Sequence, residues 1–173
     1  MALKTRGALK VLETKLTDSE SRARDDHHES VRVWLRLLTC SNLIETEIRQ
    51  RLQNAFATTL PRFDLMAQLE RFPGGLKMSD LSRRMMVTSG NVTGVTDMLE
   101  KEGLVMRVID TADRRALRVK LTASGQRLFK RMAAEHERWV IELFDGLGFK
   151  RKQQLALLLG DLKRSVRAKK SER

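Results

Sequence analysis

The stretch from Leu76 to Leu104, LKMSDLSRRMMVTSGNVTGVTDMLEKEGL, has fewer ways to fold than any other part of this chain. Its apolar spacing predicts a short helix near 78–85, a tight turn, and a second helix from about Ser89 to Glu102. Gly103 ends that second helix at the position after its cap. Two short helices joined by so brief a turn make a helix-turn-helix. The spacing of the second helix buries Val92, Val95 and Leu99 and leaves a small, polar face of Ser89, Asn91, Thr93 and Thr96. Two runs follow, LVMRVI and LRVKLT, in the second of which Leu117, Val119 and Leu121 alternate with Arg118 and Lys120. Strict alternation on both sides of a polar loop predicts a β-hairpin with one apolar face inward and a basic face outward. A helix-turn-helix with a hairpin behind it is a winged helix.

The flanks are helical. From Glu29, Val31, Trp34, Leu35 and Leu38 recur at three-four spacing, and Leu43, Ile44, Ile48, Leu52 and Phe56 form a second apolar stripe. TTLPRFDLMAQL starts another helix, with Pro61 in its first turn behind a threonine cap. After Thr122 the stripe Phe129, Met132, Ala133, His136, Val140 and Phe144 marks a long helix. LGF breaks it, and a last helix carries Leu155, Leu158, Leu159, Leu162 and Val166. These helices hold more apolar surface than a small winged module can cover, which points to association as a homodimer. The fold class read from the sequence is therefore mainly α with a small β-hairpin wing, a winged helix-turn-helix lobe plus a helical dimerisation region. The expected organisation is a basic N-terminal arm (1–28) with one helical stretch near 8–16, and an N-terminal dimerisation helix (29–58). The winged helix-turn-helix lobe (59–122) and C-terminal dimerisation helices (123–173) follow.

Charge narrows the partner. With 34 basic and 22 acidic residues the chain carries a formal +12, which calls for a polyanion. Aromatic residues make up 5% and tyrosine is missing, so base-stacking platforms for single strands are poorly supplied and double-stranded DNA is the expected partner. No apolar run of membrane-spanning length and no signal-peptide core occur, so the reading is a soluble, cytoplasmic protein without a membrane partner. The single cysteine, Cys40, excludes an intramolecular disulfide and fits a reducing compartment.

The hairpin loop, IDTADRRALRVKLT, sets Arg114 and Arg115 side by side at its tip. A wing tip beside a recognition helix reaches the minor groove, where the potential is most negative. Asp113 is placed to hold the Arg115 guanidinium as a bidentate partner. Arg114, Arg107, Arg118 and Lys120 are expected to face phosphates; the alternative is a solvated turn with incidental charge. Ser89, Asn91 and Thr93 open the recognition helix and lie nearest the base edges, asparagine suiting adenine and a threonine methyl suiting thymine. That face has no arginine, the usual guanine reader, so specificity leans on DNA shape and on the wing; the alternative is a merely polar exposed face. Arg83 and Arg84 either bind phosphate or end a solvated helix.

Catalysis finds no candidate. Asp25 to Glu29, DDHHE, read as a helix start, because adjacent histidines point apart and chelate poorly. His136 lies on an apolar stripe as a packed histidine, and Cys40 reads as inert packing with no CxxC partner. No phosphate loop, nucleophile elbow or paired-acid pattern occurs, so no enzyme activity, cofactor or metal is expected.

The run from Pro61 to Thr122 resembles the MarR family of bacterial transcriptional regulators. LEKEGLV followed by Arg107 matches that family's recognition-helix exit, and Asp113, Arg115, Leu121 and Thr122 fit its DxRxxxxxLT signature without a gap. With the flanking helices the resemblance covers about residues 29–168. It implies an obligate homodimer with interleaved end helices, two winged lobes on a pseudo-palindromic operator, and Arg115 in the minor groove supported by Asp113. It also implies a pocket for small aromatic acids or their derivatives between the dimerisation helices and the lobe. Some relatives place arginine in the recognition helix, where this chain has Gly94 and small neighbours.

The segment LRLLTCSNLIETEIRQRL with TTLPRFDLMAQLER is similar to regulators of aromatic catabolism that answer to hydroxycinnamoyl-CoA thioesters such as p-coumaroyl-CoA. Trp34, Leu38, Phe63 and Met66 would then line an apolar slot, with Arg32, Arg36 and the basic arm for CoA phosphates; the alternative is that these residues are simply core. Together these features predict a repressor released by its effector. A ligand-independent DNA-architectural protein and a Cys40 thiol-based redox sensor are the competing readings.

Overall fold

The computed structural model describes residues 29–110 and 116–171. The N-terminal arm with its expected helix, the DDHH residues, and the wing tip with Asp113, Arg114 and Arg115 lie outside the described residues. The chain divides into two units, residues 1–55 and 56–173.

The first unit is dominated by α1 (Glu29–Phe56), which starts where the apolar spacing begins and runs to the unit boundary. Burial changes along the length of α1 and does not follow its two stripes. Ile48 and Leu52 are buried, whereas Val31, Val33, Trp34, Leu38 and Leu43 are exposed.

The second unit contains α2 (Leu60–Glu70), β1 (Leu76–Lys77), α3 (Met78–Met85), α4 (Ser89–Lys101), β2 (Val105–Ile109), β3 (Leu117–Leu121), α5 (Ala123–Leu143) and α6 (Phe149–Ser171). Pro61 sits in the first turn of α2 as expected. The cap at Thr59 works through the backbone, its carbonyl accepting from the Arg62 and Phe63 N–H groups at 3.1 Å, and not through the threonine side chain. Gly103, at φ +68, ends α4 in a Schellman turn. The Leu104 N–H donates to the Leu99 carbonyl and the Gly103 N–H to that of Glu100, both at 2.9 Å. Thr122 caps α5 with its hydroxyl, which accepts from the Gly125 N–H at 3.0 Å.

The hairpin is part of a three-stranded antiparallel sheet in the order β1-β3-β2, with Val105 opposite Leu121 and Ile109 opposite Leu117. The two-residue β1, pairing Leu76 with Val119, was not expected; two residues are too few for an alternation to register. Its entry is set by Gly75, at φ +81, where an added Cβ would lie 2.7 Å from the Val119 carbonyl oxygen. Leu65, Met66, Leu69, Leu81, Val92, Leu99, Val105, Val119 and Met132 form the core of the unit, each at most 1% exposed. Phe56 and Trp139 close its aromatic side, with ring centroids 6.3 Å apart. By contrast, α6 has no buried residue and exposes Leu157, Leu158, Leu162 and Val166.

Candidate nucleic-acid interface

α3 and α4 are joined without a glycine. Met86 takes the left-handed conformation instead, at φ +56, and donates its N–H to the Ser82 carbonyl, leaving its side chain 92% exposed. That conformation costs a non-glycine residue about 1 kcal/mol. Beyond the turn, Ser89, Asn91 and Thr93 are all exposed on the N-terminal half of α4. Gly90 lies among them and Gly94 directly follows, and a Cβ at either would meet nothing within 4 Å. The face is therefore shallow, open to a groove edge, and sits at the positive end of the helix dipole. Thr93 returns its hydroxyl to the Ser89 carbonyl at 3.0 Å, which satisfies the donor and leaves the methyl as the distinctive group. A groove of about 340 Å³ runs beside this face, with Pro61, Met85, Val87, Asn91, Gly94 and Met98 in its lining.

Thr96 does not belong to the exposed face on which its polarity placed it. It is fully buried, because its hydroxyl donates to the Val92 carbonyl at 2.7 Å and leaves no unmet polar group. Val95, expected in the core, is only half-buried.

Two arginines expected at phosphates are turned toward carboxylates. Arg107 on β2 places one guanidinium nitrogen 2.5 Å from Asp97 and bonds Glu100 with the other, while its backbone N–H donates to Glu100 at 3.2 Å. The hydrogen bond to Asp97, with the attraction of both carboxylates, outweighs the opposing effect of burial and raises the guanidinium pKa further. Arg118 on β3 bonds Asp110 through Nε and donates from Nη1 to the Gly75 carbonyl at 2.9 Å. Asp110 is 1% exposed, has Lys77 Nζ at 4.0 Å, and donates its own N–H to the Ala116 carbonyl at 2.9 Å, closing the hairpin around 111–115. Asp110 was missed by sequence reasoning; its position directly at the end of β2 was the available signal. Lys120 remains half-buried. Arg83 pairs with Asp80 at 3.4 Å, and Arg84 lies over the Phe72 ring at 4.2 Å, so each has a protein partner at the end of α3.

The residues expected around an effector fall in both units. Trp34 and Leu38 are exposed in the first unit; Arg32 pairs with Glu29 at 3.1 Å, and Arg36 is exposed. Phe63 and Met66 are buried in the second unit, where Phe63 lies 5.5 Å from the Phe129 ring and stacks on His136 at 4.8 Å. Burial lowers the His136 pKa, which keeps a neutral imidazole on the aromatic ring at pH 7. None of these six residues lines the groove beside α4. Cys40 is exposed on α1 and not enclosed, contrary to its reading as packing. Among the described residues no cluster of three or more His, Cys, Asp or Glu is arranged to hold a metal, and no helix is long and apolar enough to cross a membrane.

Two short helices on a tight turn, an exposed second helix and a three-stranded sheet carrying the wing define a winged helix-turn-helix transcriptional regulator. The chain belongs to the MarR family, whose model matches residues 58–117. A MarR family transcriptional regulator from Silicibacter pomeroyi is 30% identical with a TM-score of 0.71, the match covering 83% of this chain and 99% of that one. The transcriptional activatory protein BadR of Rhodopseudomonas palustris is 31% identical over 104 residues, 59% of each chain. The HTH-type transcriptional regulator YsmB of Bacillus subtilis is 29% identical over 92 residues, 53% of this chain and 62% of that protein. The matches thus span about three-fifths of these two curated relatives. The relatives are transcriptional regulators and not enzymes.

Proposed function

We propose that the protein is a cytoplasmic homodimer that binds double-stranded operator DNA sequence-specifically and represses transcription until a small aromatic effector releases it. The exposed, shallow N-terminal half of α4, with Ser89, Asn91 and Thr93 next to two open glycines, carries the reading. A helix presented in this way enters the major groove N-terminus first, and the wing residues Asp113, Arg114 and Arg115 are assigned to the adjacent minor groove and backbone. The exposed apolar residues of α6 support a second copy as partner.

The effector is an aromatic acyl-CoA thioester of the p-coumaroyl-CoA kind, with the exposed Trp34 and Leu38 of α1 assigned to its acyl group and Arg32 and Arg36 of the same helix to its phosphates. Such a ligand acts only through its different affinity for two dimer shapes. One of them sets the recognition helices a DNA turn apart, roughly 34 Å, and the other does not. Fluorescence anisotropy on the duplex upstream of the protein's own gene checks the release. The complex is expected to dissociate with p-coumaroyl-CoA and to persist with free p-coumaric acid or CoA alone. A complex indifferent to all three compounds discards the thioester. BadR's description as an activatory protein favours a second reading, activation by the DNA-bound protein; a promoter fused to a reporter separates the two by the sign of its response.

A further inference from the structure

The recognition helix carries an electrostatic liability that the exposed-face reading leaves unexplained. Asp97 and Glu100, three residues apart on α4, lie on the same side of a helix meant to approach polyphosphate. Their side chains are 46% and 35% exposed. Two free carboxylates within a Debye length of the DNA backbone, about 10 Å, would repel it. Both instead converge on Arg107, which occupies three of their oxygens: Asp97 Oδ1, Glu100 Oε2, and Glu100 Oε1 through its backbone N–H. Arg107 is itself fixed by the sheet, opposite the fully buried Val119.

We propose that Arg107 is a positioning residue for DNA reading that contacts no DNA itself: it couples α4 to the wing strand and neutralises Asp97 and Glu100. The inference rests on the DNA-binding reading above. With Arg107 removed, α4 loses its tie to β2 and presents two bare carboxylates beside the groove. A freed Asp97 is also a ready acceptor for the cytosine amino group, so sequence preference shifts as affinity falls.

The test is anisotropy on the gene's own upstream duplex and on a scrambled duplex, across a salt series. Four full-length proteins are compared: wild type, Arg107→Ala, Asp97→Asn/Glu100→Gln, and the triple variant. Arg107→Ala is expected to weaken binding tenfold or more in the native background. Its further effect in the Asp97→Asn/Glu100→Gln background is expected to be less than threefold, with the salt slope unchanged throughout. An equal loss in both backgrounds, with a slope shallower by about 0.9, makes Arg107 a direct phosphate contact and overturns the proposal. If Arg107→Ala does not fold, Arg107→Gln, which keeps a polar side chain without the charge, is judged in the same two backgrounds by the same criterion. Wild-type protein with no preference between the duplexes fails the operator reading instead. The coupling is then read from DNA-free thermal midpoints, where Arg107→Ala should lower Tm by several degrees in the native background and under one degree in the other; equal shifts overturn it.

Discussion

Replacing Gly125 by alanine is expected to destabilise the protein by about 3 kcal/mol or more. The first turn of α5 rests on the Leu104 carbonyl, which accepts from the Thr122 N–H at 3.0 Å and from its hydroxyl at 3.2 Å. A Cβ on Gly125 would stand 2.0 Å from that oxygen and 2.9 Å from its carbon. Backbone lies on both sides of the clash, so no rotamer relieves it. α5 would have to swing away from the α4–β2 turn, breaking the Thr122 bonds and disturbing the core residues Phe129 and Met132. Denaturant unfolding reads the loss directly. Gly94→Ala is the control: it sits in open space, and helix propensity alone should raise stability by up to about 1 kcal/mol. Equal midpoints for wild type and Gly125→Ala would mean that this close approach does not exist.

The second large effect is expected at Asp110. Truncation to alanine strands Arg118 and Lys77 beside a buried site and removes the anchor at the base of the wing. Breaking a buried pair by deleting one partner costs about 3–5 kcal/mol, and the partial exposure of Arg118 puts this case at about 3. Arg118→Met should cost at least as much, because the charge it leaves behind is that of Asp110, 1% exposed, whereas Asp110→Ala leaves an Arg118 that is partly exposed and reaches water. Thermal melts of the two variants check the order. Asp110→Ala melting with the wild type would show that the ion pair carries no weight in the fold.

Much of the lobe was legible from periodicity. The limits of α4, the inward Val119 and Leu121 of the hairpin, and the stop at Gly103 all follow from where apolar residues and glycine fall, whereas Leu117, expected on the same inward face, is exposed at the open end of β3. The misplaced arginines have a common physical origin in partners supplied from elsewhere in the chain. Alternation places Arg107 and Arg118 on strands, but gives no notice that Asp97, Glu100 and Asp110 will stand beside them. Polarity places Thr96 outside, although a hydroxyl bonded to its own helix four residues back is free to be buried. Nothing in MMVT marks Met86 for the left-handed turn usually given to glycine. β1 is two residues long and exists because Gly75 lets the chain approach Val119. For the effector, helical spacing cannot separate a binding wall from a core wall, and Phe63 and Met66 are core residues whatever else they do.

The central claim is sequence-specific recognition of duplex DNA by this winged helix. Its most direct test is anisotropy at fixed salt on the native upstream duplex and a scrambled duplex, with wild type and Arg115→Ala. The account predicts a clear wild-type preference for the native duplex, weakened in Arg115→Ala by on the order of 1–3 kcal/mol, with the oligomeric state unchanged. Equal wild-type affinity for both duplexes, falling steeply with salt, would contradict it and leave an architectural protein that binds DNA by charge alone.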